Sequence, residues 1–210
     1  MNRQINICLA IVIMIVFIPL SSSAQVDAIY DKGASALVRQ LKRLQTTASV
    51  LHIGAHPDDE DSALVAYHAR SVNARTAYLS ITRGSGGQNI IGSEQSDALG
   101  VIRTEELLQA RNLDGAEQYF TSAKDYGFSK HNKEVVKFWP ENVVLRDIVR
   151  TIREFRPDVI VSRWNGTMSD GHGHHQYSGY IIPPFPSPPI TAFFFFINST
   201  TFTSPTALKK

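Results

Sequence analysis

The hydrophobic pattern along residues 27–163 switches repeatedly between two periods. Leu37, Leu41 and Leu44 share one helical stripe, which predicts an amphipathic helix over 27–45 covering an edge or face of a sheet. An apolar run over 50–54, rich in β-branched residues, stops at Gly54-Ala55 and reads as a buried strand. A second such run spans 74–82, and a helix over 58–70 fits between them. After a glycine-rich loop at 84–89, Leu99, Ile102 and Leu107 mark a helix over 98–113 with Gly115 near its end. A short strand is expected at 117–121. Val144, Ile148, Ile152 and Phe155 mark another helix, Pro157 stops it, and 158–163 reads as a strand. The polar and aromatic stretch 122–140 shows no assignable period. Strands alternating with helices predict an α/β chain, a Rossmann-like layered fold with a mostly parallel sheet flanked by helices.

Both ends depart from this pattern. Residues 1–24 have a basic start at Arg3, an apolar segment over 5–20 and a small-residue end at Ser22-Ser23-Ala24. They read as a secretory signal peptide cleaved before Gln25, with an uncleaved membrane anchor as the alternative. The mature chain is then expected to be secreted or periplasmic, without a stable membrane partner. Residues 180–210 hold six of the ten prolines, a run of four phenylalanines at 193–196, no acid, and only Lys209 and Lys210 as charges. Without helical period, and with prolines that argue against a central strand, they are expected to be an atypical tail. The expected organisation is a signal peptide at 1–24, a folded α/β domain at 25–179 whose pattern breaks off at its C-terminal end, and this tail at 180–210.

Composition narrows the chemistry. A formal net charge of +2 with no Lys/Arg block offers no electrostatic footprint for nucleic acid. Cys8 is the only cysteine and lies in the leader, so a metal would have to be held by His and carboxylate. Two clusters supply such groups. Residues 54–60 read Gly-Ala-His-Pro-Asp-Asp-Glu, and residues 170–176 read Asp-Gly-His-Gly-His-His-Gln. Pro57 suits a first helical position, so His56, Asp58 and Asp59 are expected in a tight turn at the carboxyl end of a strand, where open α/β sheets build sites. The bland alternative is that these acids only complement a helix dipole. His56 and Asp59, three residues apart, can share one zinc ion, which takes both ligand types, with a third ligand from the second cluster. Other divalent metals also suit such a set.

Ala55-His-Pro-Asp-Asp-Glu60 resembles the first motif of the zinc-dependent N-acetylglucosamine deacetylases (PIG-L or LmbE-like), and His172-Gly-His-His175 resembles their second, His-x-x-His. Thr82-Arg-Gly84 and Arg103-Thr-Glu-Glu-Leu107 resemble segments lying between the two, so the likeness spans roughly 49–179. The resemblance implies a hydrolase that removes the N-acetyl group of an N-acetylglucosamine-type small molecule or glycan. It implies His56, Asp59 and His175 as zinc ligands, Asp58 as general base, and His172 as stabiliser of the developing oxyanion. Arg83 and Arg103 become candidate substrate contacts, although Arg103 can equally pair with Glu105 or Glu106 on its own helix. One departure stands out: family members often carry an acid where this chain has His174, which can itself compete as a ligand. Two other readings stay open, namely an inactive remnant or carbohydrate-binding domain, and a zinc amidase or esterase for another substrate.

Overall fold

The structure, a computed structural model, describes residues 32–182, 193–198 and 201–202. The expected leader at 1–24 lies outside these residues. In chain order the elements are α1 (Gly33–Arg43), β1 (Ser49–Gly54), α2 (Ser62–Ala66), β2 (Arg75–Ser80), α3 (Asp97–Asp114), β3 (Glu117–Phe120), α4 (Asn132–Val135), α5 (Glu141–Phe155), β4 (Val159–Ser162), α6 (Gly173–Ile181), β5 (Phe193–Asn198) and β6 (Thr201–Phe202). The strands form one sheet in the order β3-β2-β1-β4-β5-β6, and only the β5–β6 pair is antiparallel. The chain runs outward from β1 on one side to β2 and β3. It then crosses back to place β4 on the other side of β1. The carboxyl ends of β1 and β4 therefore flank the point where the winding reverses, the place where doubly wound sheets open a crevice.

Every residue of β1 is buried, as a central parallel strand covered on both faces requires. Side chains alternate along it. Leu51 and Ile53 join Leu79, Ile160 and the α5 stripe Val144, Ile148, Ile152 and Phe155 in one core. Val50 points to the opposite face with Ala74, Val161 and the α2 residue Leu64. The α5 stripe is the one its 3.6-residue period predicted. Arg156 ends that helix in the left-handed region at φ 57°, just ahead of Pro157. Gly115 ends α3 at φ 78°, its N–H donating 2.7 Å to the Arg111 carbonyl.

Three expectations are corrected. The helix expected over 58–70 is split: Pro57–Asp59 is a single 3₁₀ turn, and α2 starts afresh from Asp61, whose Oδ1 accepts from the Leu64 N–H at 3.0 Å. Asp61 is thus the capping acid. Helix α1 does not bury its predicted stripe among the described residues: Leu37, Leu41 and Leu44 are 61%, 55% and 83% exposed. Finally, the segment after residue 179 is not without regular structure. Helix α6 continues to Ile181, and β5 lies parallel to β4, with Val159 opposite Phe193 and Ser162 opposite Phe196. The prolines at 183–189 precede that strand and Pro205 follows it, so the paired stretch itself contains none.

Candidate metal centre and active site

Gly54 closes β1 where a side chain has no room: a Cβ there would run into the Tyr78 hydroxyl and lie 2.9 Å from the Asp59 Cβ. The turn that follows is stapled to the end of β2. Gly54 O accepts from the Ile81 N–H at 2.9 Å, and Ala55 O from the Thr82 N–H at 3.0 Å and the Thr82 hydroxyl at 3.1 Å. The buried Tyr78 hydroxyl donates 2.6 Å to the His56 carbonyl. Asp59 then folds back, its Oδ2 accepting from the His56 N–H at 2.7 Å. The third acid, Glu60, points away from the turn, 2.7 Å from the buried Arg111 guanidinium, which also binds Asp114. Of three consecutive acids, one faces inward, one faces outward and one anchors the turn.

The second arm leaves β4 through Arg163, whose N–H donates 3.0 Å to Ile53 O. Asp170 shapes the loop that follows: its buried Oδ2 accepts from the Gly166 and Thr167 N–H groups at 2.7 and 3.2 Å. His172 caps α6, its Nδ1 accepting from the His174 N–H at 3.0 Å, and so presents its other nitrogen elsewhere. His175 stacks on Trp164, ring centroids 3.9 Å apart and planes 8° apart. Its Nδ1 is 3.1 Å from the Asp170 carbonyl oxygen. A carbonyl can only accept, so Nδ1 carries a proton, and Nε2 is the nitrogen that would face a metal.

These two arms converge on Asp59. His175 Nε2 lies 3.3 Å from its Oδ1, and His56 Nδ1 lies 3.3 Å from its Oδ2. Burial opposes charge on Asp59, but hydrogen bonds from His175 and His56 outweigh it and hold the carboxyl well below the usual range. Burial also opposes protonation of His56, and the adjacent Asp59 reverses this, raising its pKa. Burial, then the neighbouring His56 and His175, push His172 down to about 4. With its Nδ1 already accepting, neutral His172 carries its proton on Nε2 and is a donor.

The residues fit a divalent ion. Ligand atoms of one tetrahedral zinc, with bonds of about 2.1 Å, stand roughly 3.4 Å apart. Each Asp59–His separation is 3.3 Å, His56 facing Oδ2 and His175 facing Oδ1 of the same carboxylate. Among the described residues, the sets with one ligand atom each within 4.8 Å of the others are His56, His172 and His175, then His56, Asp58 and Asp59, and His56, Asp125 and His174. The set mixes imidazole and carboxylate, as a borderline-soft cation prefers.

The remaining candidate residues are distributed unevenly. Asp58 is 72% exposed at the rim, its Oδ1 2.9 Å from Arg103 Nη2. Arg103 thus reaches Asp58 rather than Glu105 or Glu106, and its Nη1 also donates 3.4 Å to Gly84 O in the glycine-rich loop. Arg83 is turned elsewhere: its Nη1 donates 3.0 Å to the Thr104 hydroxyl and its guanidinium sits 4.1 Å over the Phe120 ring. It lines a groove of about 1070 Å³ between α3, β3 and α5 whose lining contains no histidine. The histidine and carboxylate chemistry lies outside this groove.

Sequence reasoning missed the contribution of residues 122–140. Trp139 stacks on His174 at 4.3 Å, the Phe128 edge meets the His172 ring at 5.1 Å, and buried Asp125 places Oδ1 3.9 Å from His174 Nδ1. The concentration of aromatic residues between two well-defined elements was the available signal.

The family model described as GlcNAc-PI de-N-acetylase (PIG-L) matches residues 51–183. Over 186 residues the chain is 29% identical to the 1D-myo-inositol 2-acetamido-2-deoxy-alpha-D-glucopyranoside deacetylase of Kineococcus radiotolerans, covering 76% of this chain and 50% of that protein. The chain therefore spans about half the length of this curated relative. Among solved structures, N,N'-diacetylchitobiose deacetylase from Pyrococcus horikoshii is similar with a TM-score of 0.56 at 17% identity, over 79% of this chain and 69% of that one. GalB, the 4-carboxy-2-hydroxymuconate hydratase of Pseudomonas putida, is similar with a TM-score of 0.50 at 16% identity, over 64% and 54%. A deacetylase and a hydratase on one fold show that the fold alone does not name a reaction. The family match is more specific, because it contains both His/Asp arms and the strands that bring them together. On that match, the chain belongs to the GlcNAc-PI de-N-acetylase (PIG-L) family.

Proposed function

We propose that this chain is a metal-dependent N-deacetylase that hydrolyses the N-acetyl amide of an N-acetylglucosamine-type sugar. The observation that carries the reading is the meeting of His56 and His175 on the two oxygens of Asp59, with Asp58 held beside them by Arg103. His56, Asp59 and His175 would hold the ion. Bound there, zinc or another divalent ion supplies a Lewis acid for the amide carbonyl and lowers the pKa of water.

The protein's own groups do the rest. Asp58 has an oxygen free of the metal set. It takes a proton from the attacking water and returns it to the nitrogen, which leaves only as an amine. Arg103 fixes the direction of that carboxylate. His172 presents Nε2–H to the carbonyl oxygen as negative charge gathers there, which is an oxyanion-hole role.

The sugar class rests on the relatives, whose names specify a 2-acetamido-2-deoxy-glucopyranoside and diacetylchitobiose as their substrates. A panel test separates it from an amidase or esterase reading. N-Acetylglucosaminides, an unrelated N-acetyl amide and an O-acetyl ester are incubated with the zinc-loaded chain, and free acetate is measured. Release confined to the amino sugars supports the proposal, whereas release only from the ester or the unrelated amide contradicts it. We further propose that the leader at 1–24 directs the reaction outside the cytoplasm; recovery of unprocessed chain from the cytoplasm of an expressing cell would contradict this. No helix of the described residues is long and apolar enough to cross a membrane.

A further inference from the structure

His174 stands where sequence alone leaves its role open, between ligand and bystander. Its side chain is fully buried. The ring lies flat on Trp139, with centroids 4.3 Å and planes 20° apart, and meets the Tyr126 ring at 4.5 Å and 84°. Packed in this way, it has little freedom to swing. Its Nδ1 is 2.9 Å from His56 Nε2, the nitrogen of His56 not engaged with Asp59.

This distance is one for a hydrogen bond, and it is shorter than the roughly 3.4 Å between two ligands of one tetrahedral zinc. Although one ligand atom each from His56, Asp125 and His174 falls within 4.8 Å of the others, Nδ1 of His174 points at a nitrogen rather than at a gap between ligands. The contact accommodates either nitrogen as donor, and the ion selects between them. With the Nδ1 lone pair of His56 given to the ion, its proton would sit on Nε2, and His174 Nδ1 would accept it. His175 shows the same arrangement, with Nδ1–H directed at the Asp170 carbonyl and Nε2 facing Asp59. Metal-ligating histidines nearly always donate their second N–H in this way, usually to a carboxylate, carbonyl or water. His174 Nε2 is itself buried without a hydrogen-bond partner, so the line of hydrogen bonds from Asp59 through His56 ends there.

We propose that His174 is a positioning residue for the metal centre: its Nδ1 accepts the Nε2–H of His56 and so fixes the tautomer and ring angle with which His56 faces the ion. The inference rests on the metal site formed by His56, Asp59 and His175. It also gives the His-for-acid departure a consequence. A neutral imidazole is a weaker acceptor than a carboxylate, so His56 is a less basic ligand here than one backed by a carboxylate.

The test is zinc affinity of the purified metal-free chain, by competition with a chromophoric chelator, for the wild type and four variants. His174→Phe keeps a flat ring against Trp139 but removes the acceptor; affinity should fall about 10–100-fold. His174→Asn places an amide oxygen near the Nδ1 position and should restore affinity to near the wild-type value. His174→Asp supplies a carboxylate and should bind more tightly than the wild type. His175→Ala should abolish binding. His174→Phe and His174→Asn both matching the wild type would overturn the proposal, and so would both losing zinc as His175→Ala does. Should the phenylalanine variant not fold, as judged by circular dichroism, the aspartate variant decides: affinity below the wild type refutes the idea. Wild type that binds no zinc would instead refute the metal site itself, a separable result.

Discussion

Arg103 Nη2 lies 2.9 Å from Asp58 Oδ1, an ion pair between the second turn of α3 and the rim of the β1 turn. Asp58 is 72% exposed and Arg103 16%, so the pair adds little to stability. Its consequence is directional, because the guanidinium fixes which way the outer carboxylate points. Removing it with Arg103→Ala should lower kcat about 10–100-fold, with metal content and KM nearly unchanged, and Arg103→Lys should recover part of the loss. A raised KM with kcat preserved would make Arg103 a substrate contact instead.

Asp58 itself should be dispensable for the metal and indispensable for turnover. Asp58→Asn is expected to bind zinc as the wild type does while kcat falls about 10²–10⁴-fold. Elemental analysis alongside initial rates checks both halves. Loss of metal would place Asp58 among the ligands.

Much of this was legible in the sequence. The α5 stripe and the β1 run reported themselves through period alone, and the two His/Asp clusters fall at strand ends on the residue pattern alone. What sequence did not show has physical causes. The split of the first motif at Glu60 depends on Arg111, a residue 51 positions later, whose buried charge draws the third acid away from the helix. The pairing of Arg103 with Asp58 needed the distance between two elements, whereas spacing along a helix offers only Glu105 and Glu106. The roles of Asp125, Phe128 and Trp139 arise from an irregular segment, where no period reports which side faces inward. The phenylalanine run at 193–196 was obscured by the prolines that flank its strand.

Arg111 should be costly to change. It is buried between Glu60 and Asp114, with Gln118 accepting from Nη1 at 3.1 Å. Arg111→Met strands two buried carboxylates, and the loss is expected to be about 3–5 kcal/mol. Urea denaturation measures it. Because Glu60 anchors the turn, zinc affinity should fall in the same variant, while a loss under 1 kcal/mol would show that solvent reaches this network.

Acid should destabilise the metal-free chain partly through His52. Burial, then the neighbouring His68 and Arg111, lower its pKa to about 3 in the folded state from 6.5. Its Nε2 lies 2.9 Å from His68 Nδ1. Because the unfolded chain binds this proton first, stability is lost as pH falls from about 6.5 toward 3, at up to ~1.4 kcal/mol per pH unit for this one site. His52→Phe should flatten the fall in urea midpoint between pH 6.5 and 4 by about one proton's worth. An unchanged slope would assign the acid sensitivity elsewhere.

The most direct test is acetate release from an N-acetylglucosaminide by one preparation carried through three states: zinc-loaded, stripped by a chelator, and zinc-restored. The site described here requires activity in the first, none in the second, and recovery in the third, with Asp58→Asn inactive throughout despite bound zinc. Equal acetate release in all three states, or full activity of Asp58→Asn, would contradict a metal-dependent deacetylase built on Asp59 and its two histidines.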